Sequence, residues 1–146
     1  MVSLAIVRVM DNPLNHTFTP FMEHLGAEFV SAAQGKAEIR LALKPHLENG
    51  LDAAHGGVVM TLLDVVMAMA AKSSDPNGFG VVTIEMKTSF LRPARGTLHA
   101  HGFCDHHSAS MAFCRGEIRD PSGRLIASSM GTFKRIDALR HRSRSD

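Results

Sequence analysis

NGLDAAHGGVVMTLLDVVMAMAAK, residues 49–72, decides how the rest of the chain is read. From Gly56 to Lys72 it has the pattern of a long helix, with Val58, Val59, Leu62, Leu63, Val65, Val66, Met67 and Met69 on nearly every side. A helix apolar all round is one that other structure encloses. One acid interrupts it. Asp64 sits mid-helix, where a carboxylate loses much of its water, at a cost in free energy unless something compensates.

The flanking sequence supplies what encloses the helix. Thr19 and Pro20 suit the start of a short helix through FMEHL, stopping at Gly26. AEFVSAAQGKAEIRLAL reads as a hairpin turning at Gln34-Gly35, with Ala37, Ile39, Leu41 and Leu43 alternating with Glu38 and Arg40. After the long helix, SSDPNG breaks the pattern and four strands follow. VVTIEMKTSF places Val82, Ile84, Met86 and Phe90 on one face and Thr83, Glu85, Lys87 and Ser89 on the other. RPARG turns the chain, TLHAHGFC and SASMAFCRGEIRD are joined through Asp105-His106-His107, DPSG makes a turn, and RLIASSMGTFKRI closes the sheet. The order predicts an α+β domain in which a curved antiparallel sheet wraps one long central helix.

Composition narrows the function. A chain of 146 residues with 45% hydrophobic and 21% charged residues suits one globular domain, spanning 1–146. Trp and Tyr are absent and Phe supplies all the aromatic residues, so neither an aromatic cage nor a phenolic proton donor is expected. The net charge of +2 fits a small anionic ligand, and part of the excess lies in the tail LRHRSRSD, read as a solvated end. No basic stripe with interleaved aromatics points to nucleic acid. Cys104 and Cys114 form no CxxC pair and read as small core residues of a reducing, cytoplasmic compartment. MVSLAIVRVM is too short and too interrupted, by Arg8, for a signal peptide. No apolar run is expected to span a bilayer. The sequon Asn15–Thr17 then carries little weight.

The start of the long helix is a second candidate feature. Its first amides have no intrahelical partners and carry partial positive charge, and Gly56 and Gly57 let a ligand approach the backbone. Such an end can polarise a carbonyl oxygen. Gly57, Thr61, Asp64 and Ala68 share one face, small or polar, which could admit a second backbone. Asp64 is either a base or nucleophile, or a structural acid bonded to a neighbour. Gly57 and Asp64 are about 10 Å apart along the axis at ~1.5 Å per residue. A reacting carbonyl needs both groups within about 3 Å. One chain can hardly supply both. A twofold dimer could, by setting Gly57 of one helix against Asp64 of the other.

NGLDAAHGGVVMTLLD resembles the signature of hot-dog-fold acyl-CoA thioesterases of the PaaI-like group: Asn, Gly, HGG, then Asp nine positions after the His. Asn49, Gly50, His55, Gly56, Gly57 and Asp64 match it. The resemblance continues through VVTIEMKTSFLRPARG and covers about 25–136. It implies that Asp64 acts as general base or nucleophile on the thioester. It implies that the partner's Gly57 amide binds the thioester oxygen, and that Asn49 and His55 orient the thioester or the attacking water. Thr83 matches a small hydroxyl residue near the scissile bond, although a β-branched strand residue there needs no such role. The family uses no metal or other cofactor, and its sites form in homodimers, further paired into homotetramers.

Arg92, Arg95 and Lys134 are candidate contacts for CoA phosphates, or ordinary surface charge. His99, His101, Cys104, Asp105, His106 and His107 lack a familiar zinc spacing, so no metal site is assigned to them. The expected activity is hydrolysis of an aryl-acetyl or medium-chain acyl-CoA, with an accommodating pocket among the Met and Ala residues around the helix. The rival readings are a non-catalytic acyl-CoA-binding module, a hot-dog dehydratase and an interaction-only protein. The dehydratase needs a different His and acidic arrangement, which the sequence lacks.

Overall fold

Thr19 holds the N-cap position of a first helix, α1 (Pro20–Leu25), but makes no side-chain capping bond, contrary to the expectation; Pro20 occupies the first turn, where its missing amide costs nothing. Gly26 ends it in the left-handed region at φ 75°. β1 (Glu28–Ala33) and β2 (Lys36–Ala42) meet at Gln34 and Gly35, whose φ values of 51° and 78° make the two-residue turn that matches strand twist. In β2 the buried Ala37, Ile39 and Leu41 alternate with more exposed residues, as the periodicity predicts. A 3₁₀ turn, Pro45–Leu47, leads to α2 (Gly56–Ser73), then β3 (Gly80–Phe90), β4 (Thr97–His107), β5 (Met111–Arg119) and β6 (Leu125–Ile136). The computed structural model describes residues 19–75 and 80–136. The apolar stretch 1–10, the sequon Asn15–Thr17, the turn residues 76–78 and the basic tail 139–146 lie outside the described residues.

The strands form one antiparallel sheet in the order β1-β2-β4-β5-β6-β3, curved around α2 as in a hot-dog fold. Two details differ from the sequence reading. Asp105 to His107 belong to β4, not to a connection, because a bulge between Cys104 and His106 lets the strand continue. The turn lies at 108–110, where Ser108 Oγ accepts from the amides of Ser110 and Met111.

The second bulge matters more. Thr83 pairs with Phe133, but Glu85 already pairs with Thr132, so two steps on β3 match one on β6. The alternation of faces therefore shifts. Val82 and Ile84 point outward and are exposed, whereas Met86 packs in the core and Phe90 lies beside Gly56. The single apolar face expected of this strand is split, and Thr83 is on the helix side.

The helix lies against backbone. Gly102 on β4 and Gly116 on β5 are direct partners, and Gly131 on β6 pairs with Cys114. A β-carbon on Gly102 would collide with the Val66 carbonyl. One on Gly116 would come within 3.1 Å of Leu63 and Met67, and one on Gly131 within 3.0 Å of Met67. The three glycines clear a trough in which α2 sits close to the sheet. Val58, Val59, Leu62, Leu63, Val66, Met67, Met69, Ala70 and Ala71 are buried in it. By length and apolarity α2 could also cross a membrane, against the expectation that no segment would; here it is the core helix. The sheet does not close over it. The face of Gly57, Thr61, Asp64 and Ala68 stays partly open.

Candidate active site

The loop before α2 is held by its own side chains and by the β3–β4 connection. Asn49 Oδ1 accepts from the amides of Leu51, at 2.8 Å, and Ala53, at 3.3 Å, while the Asn49 amide donates to the Ala53 carbonyl at 2.7 Å. Asp52 adopts φ 54° inside this turn, a conformation that short polar side chains tolerate. Arg95 donates to the carbonyls of Asp52, at 2.9 Å, and Leu51, at 3.1 Å. The Ala54 amide donates to Ala94 at 2.8 Å, and the His55 amide to Leu47 at 2.8 Å. Asn49 and Arg95 thus fix the path by which the chain enters the helix.

His55 caps that helix. Its Nδ1 accepts from the Gly57 amide at 2.9 Å, and its carbonyl accepts from Val58 and Val59. The Gly57 amide is therefore lent to an imidazole on an exposed rim. A β-carbon on Gly57 would approach His55 Nδ1 to 3.1 Å, so a side chain there would press on the capping ring.

Asp64 lies two turns further along, half-buried on the open face. Its carboxylate is compensated from the neighbouring strand: the Thr83 hydroxyl donates to Oδ1 at 2.7 Å. Thr61, between the two features, donates its hydroxyl to the Gly57 carbonyl at 2.8 Å. Asp64 and Thr83 thus meet within one chain, through the β3 bulge. Gly57 and Asp64 do not, being about 10 Å apart along the same axis at ~1.5 Å per residue.

A cleft of about 400 Å³ opens beside Gly57 and Thr61, walled by Phe21 and Leu25 of α1, Leu47 and Val58, with His46 and Glu48 on its polar side. The sequence reading did not foresee this cleft; it expected an accommodating pocket among the Met and Ala residues around α2. Met67 and Met69 are instead fully buried in the core. The available signal was α1 itself, whose Phe21 is 56% exposed on a short helix next to the HGG segment.

The three basic candidates are not brought together. Arg92 donates to the Leu125 carbonyl at 2.7 Å and its amide to Ile126. Lys134 is exposed, opposite Val82, eight residues beyond Ile126 on β6. At ~3.3 Å per residue that is roughly 26 Å away, so one phosphate cannot touch both in a protomer. The histidine segment divides likewise. His99 and His101 lie on the sheet's outer face, His99 with Nδ1 3.8 Å from Glu38, while His106 stacks on Phe113 and Cys104 faces inward.

Comparison with known proteins yields a consistent picture. The family model of the thioesterase superfamily matches residues 51–127. The chain is 28% identical over 114 residues to the acyl-coenzyme A thioesterase PaaI of Escherichia coli K12, covering 77% of this chain and 79% of that one. It is 34% identical over 84 residues to a Halobacterium salinarum protein named as a provisional esterase, a match spanning 54% of this chain and 56% of that protein. Among solved structures, a conserved protein of Pseudomonas aeruginosa superposes with a TM-score of 0.76 at 30% identity, covering 81% of this chain and 94% of that one.

Proposed function

The chain belongs to the thioesterase superfamily, as a PaaI-like hot-dog protein, and on that premise we propose that it hydrolyses an acyl-CoA to a carboxylic acid and CoA. The observation that carries the reading is the 2.7 Å bond between Thr83 and Asp64 on the one face of α2 that the sheet leaves open. Thr83 occupies Oδ1, which leaves Oδ2 to a water or to the thioester carbon. Asp64 acts there as base toward water or as the nucleophile. Addition to the carbonyl places charge on its oxygen, and the Gly57 amide of a partner subunit receives it. Collapse breaks the C–S bond, and CoA leaves as a thiolate that takes up a proton; on the nucleophilic route a water then cleaves the acyl–Asp64 anhydride to free the carboxylic acid.

The distance between Gly57 and Asp64 along one helix supports a homodimeric site. So does the sheet edge: β3 pairs on one side only and exposes Val82 at 42% and Ile84 at 56%. Pairing of dimers into a tetramer extends the same proposal. The cleft by α1 takes the acyl group; its volume suits an aryl-acetyl or medium-chain acyl group. His55 turns toward the thioester when it releases the Gly57 amide, and Asn49 orients the substrate through the loop it braces. Arg92, Arg95 and Lys134 attract the CoA phosphates as dispersed positive charge, from either protomer. A cytoplasmic setting, where acyl-CoA is made and used, goes with this reading.

A thiol-release assay over a panel of acyl-CoAs tests it. Asp64→Asn is expected to lower kcat about 100-fold or more while CoA binding, read by calorimetry, is kept. Hydrolysis at the parental rate in that variant removes Asp64 from the chemistry. One observation favours a binding-only module, namely that the Gly57 amide is already bonded to His55. That module predicts CoA binding with no thiol release from any acyl-CoA.

A further inference from the structure

Cys104 and Cys114 play no part in the reaction proposed above, yet the fold sets them face to face. They are direct partners across β4 and β5. Both point to the inner side, where Cys114 packs with Met67, Ala71, Ala112 and Phe133, and Cys104 lies against the same cluster. The Cys104 amide donates to the Gly35 carbonyl at 2.8 Å, toward β2. In an antiparallel strand a residue's amide and carbonyl point the same way, so Cys104 directs neither at β5. The cysteines are then a non-hydrogen-bonded pair, the kind whose Cα atoms lie about 4.5 Å apart. A disulfide spans roughly 4.4–6.8 Å between Cα atoms.

The two thiols are unequal. Cys104 is half-buried and Cys114 is buried. Hydrogen bonding from Cys114, then from Ser74, together with nearby His107, lowers the Cys104 thiol to about 6. The contact with Cys104, then burial, pushes the Cys114 thiol up. Cys104, whose Sγ lies 3.7 Å from the His106 carbonyl, is thus the more acidic and the more accessible sulfur, and its neighbour keeps its proton under cover.

The geometry points to a reversible disulfide site, with Cys104 the attacking sulfur and Cys114 the resolving one. The oxidant is a low-molecular-weight disulfide. The Cys104 thiolate attacks one of its sulfurs, an S–S bond forms to Cys104, and one small thiolate leaves. Cys114 passes its proton to that thiolate, attacks Cys104 Sγ and expels the second small thiolate, which takes the proton that Cys104 had shed. Two protein thiols become one disulfide, and one small disulfide becomes two thiols. The site lies under the C-terminal turn of α2, beside Ser74 and Gly35, at the end opposite Gly57. It stands or falls independently of the hydrolysis proposed above.

The chain has two cysteines, so intact mass reads their state directly. The reduced full-length protein is equilibrated at pH 7 in buffers of reduced and oxidised glutathione, quenched in acid, and compared with protein kept unfolded in urea. The expected product is lighter by about 2 Da, has no titratable thiol and runs as a single chain on a non-reducing denaturing gel. The folded protein reaches half-oxidation at about one-tenth or less of the oxidant ratio that the unfolded chain needs, and its Tm rises by roughly 5 °C or more on oxidation. Cys114→Ser stalls as the glutathione adduct of Cys104, and Cys104→Ser reacts about tenfold more slowly or less. A persistent adduct on the parental chain, cross-linked chains, no reaction, or a folded protein harder to oxidise than the unfolded one each overturns the proposal.

Discussion

Thr83 and Asp64 share a single bond of 2.7 Å, and it is the testable centre of the site. Thr83→Ala removes the donor and is expected to lower kcat about tenfold, whereas Thr83→Ser keeps a hydroxyl and stays within about threefold of the parent. A serine variant as slow as the alanine one would mean that the methyl group, through packing, is what counts. Asp64 was legible in the sequence because one acid in an apolar helix stands out against its neighbours. Thr83 was legible as a residue but not as a direction: simple alternation turned it away from the helix side, and a bulge has no residue type that announces it. The loop-bracing bonds of Asn49 and Arg95, which the sequence considered only as candidate substrate contacts, were not legible for a related reason. Both bond to loop backbone, at the amides of Leu51 and Ala53 and the carbonyls of Leu51 and Asp52, and backbone groups carry no sequence identity.

At the scale of elements, the glycines under α2 set how near helix and sheet come. Gly102→Ala places a methyl group against the Val66 carbonyl and is expected to destabilise the fold by about 2–3 kcal/mol or more, read by denaturant unfolding. A loss under about 0.5 kcal/mol would mean that the helix can ride higher. The β5–β6 turn offers a pH test. Asp120 Oδ1 accepts from the Ser122 hydroxyl at 2.6 Å and from the amides of Ser122 and Arg124, and Oδ2 accepts from Arg124 Nε at 2.7 Å. The Ser122 bond first, and Arg124 next, hold this carboxyl well below its usual value of 3.8. A depressed acid stabilises the fold above its unfolded pKa and loses that contribution as pH falls through the folded value. The Tm deficit of Asp120→Asn should therefore be constant from about pH 7 to 5 and shrink below about 3.8. A deficit that persists unchanged at low pH would assign the effect to shape alone. This turn was plain from DPSG, and the hairpin from Gln34-Gly35, because turn residues state their backbone requirements. The glycine trough was not, since its members come from three strands and meet only in the sheet.

For the whole molecule the decisive question is whether one site draws on two chains. Gly57→Pro deletes the amide in the first turn and requires the His55 ring, which a β-carbon there meets at 3.1 Å, to swing aside, while Asp64→Asn deletes the acid. Each variant alone is expected to be inactive. Subunits mixed and allowed to exchange form heterodimers in which one site keeps both groups, so activity returns to about a quarter of the parent. No recovery after verified exchange would place both groups in the same chain or outside the chemistry. The fold itself was readable from order and periodicity, because one enclosed helix among strands leaves few arrangements. The cleft beside α1 was not, since it arises where α1, the 3₁₀ turn and the start of α2 happen to leave space.

The imidazole on the Gly57 amide has one more consequence if that amide serves hydrolysis. A donor already engaged yields only to a better acceptor. The neutral oxygen of a resting thioester competes poorly with a ring nitrogen, while the charged oxygen of the tetrahedral adduct competes well. The bond would then strengthen as the barrier is climbed, which is what separates acceleration from mere affinity. An anionic mimic of the adduct should shift the Gly57 amide resonance in NMR, and a neutral ketone analogue of the substrate should leave it where it was.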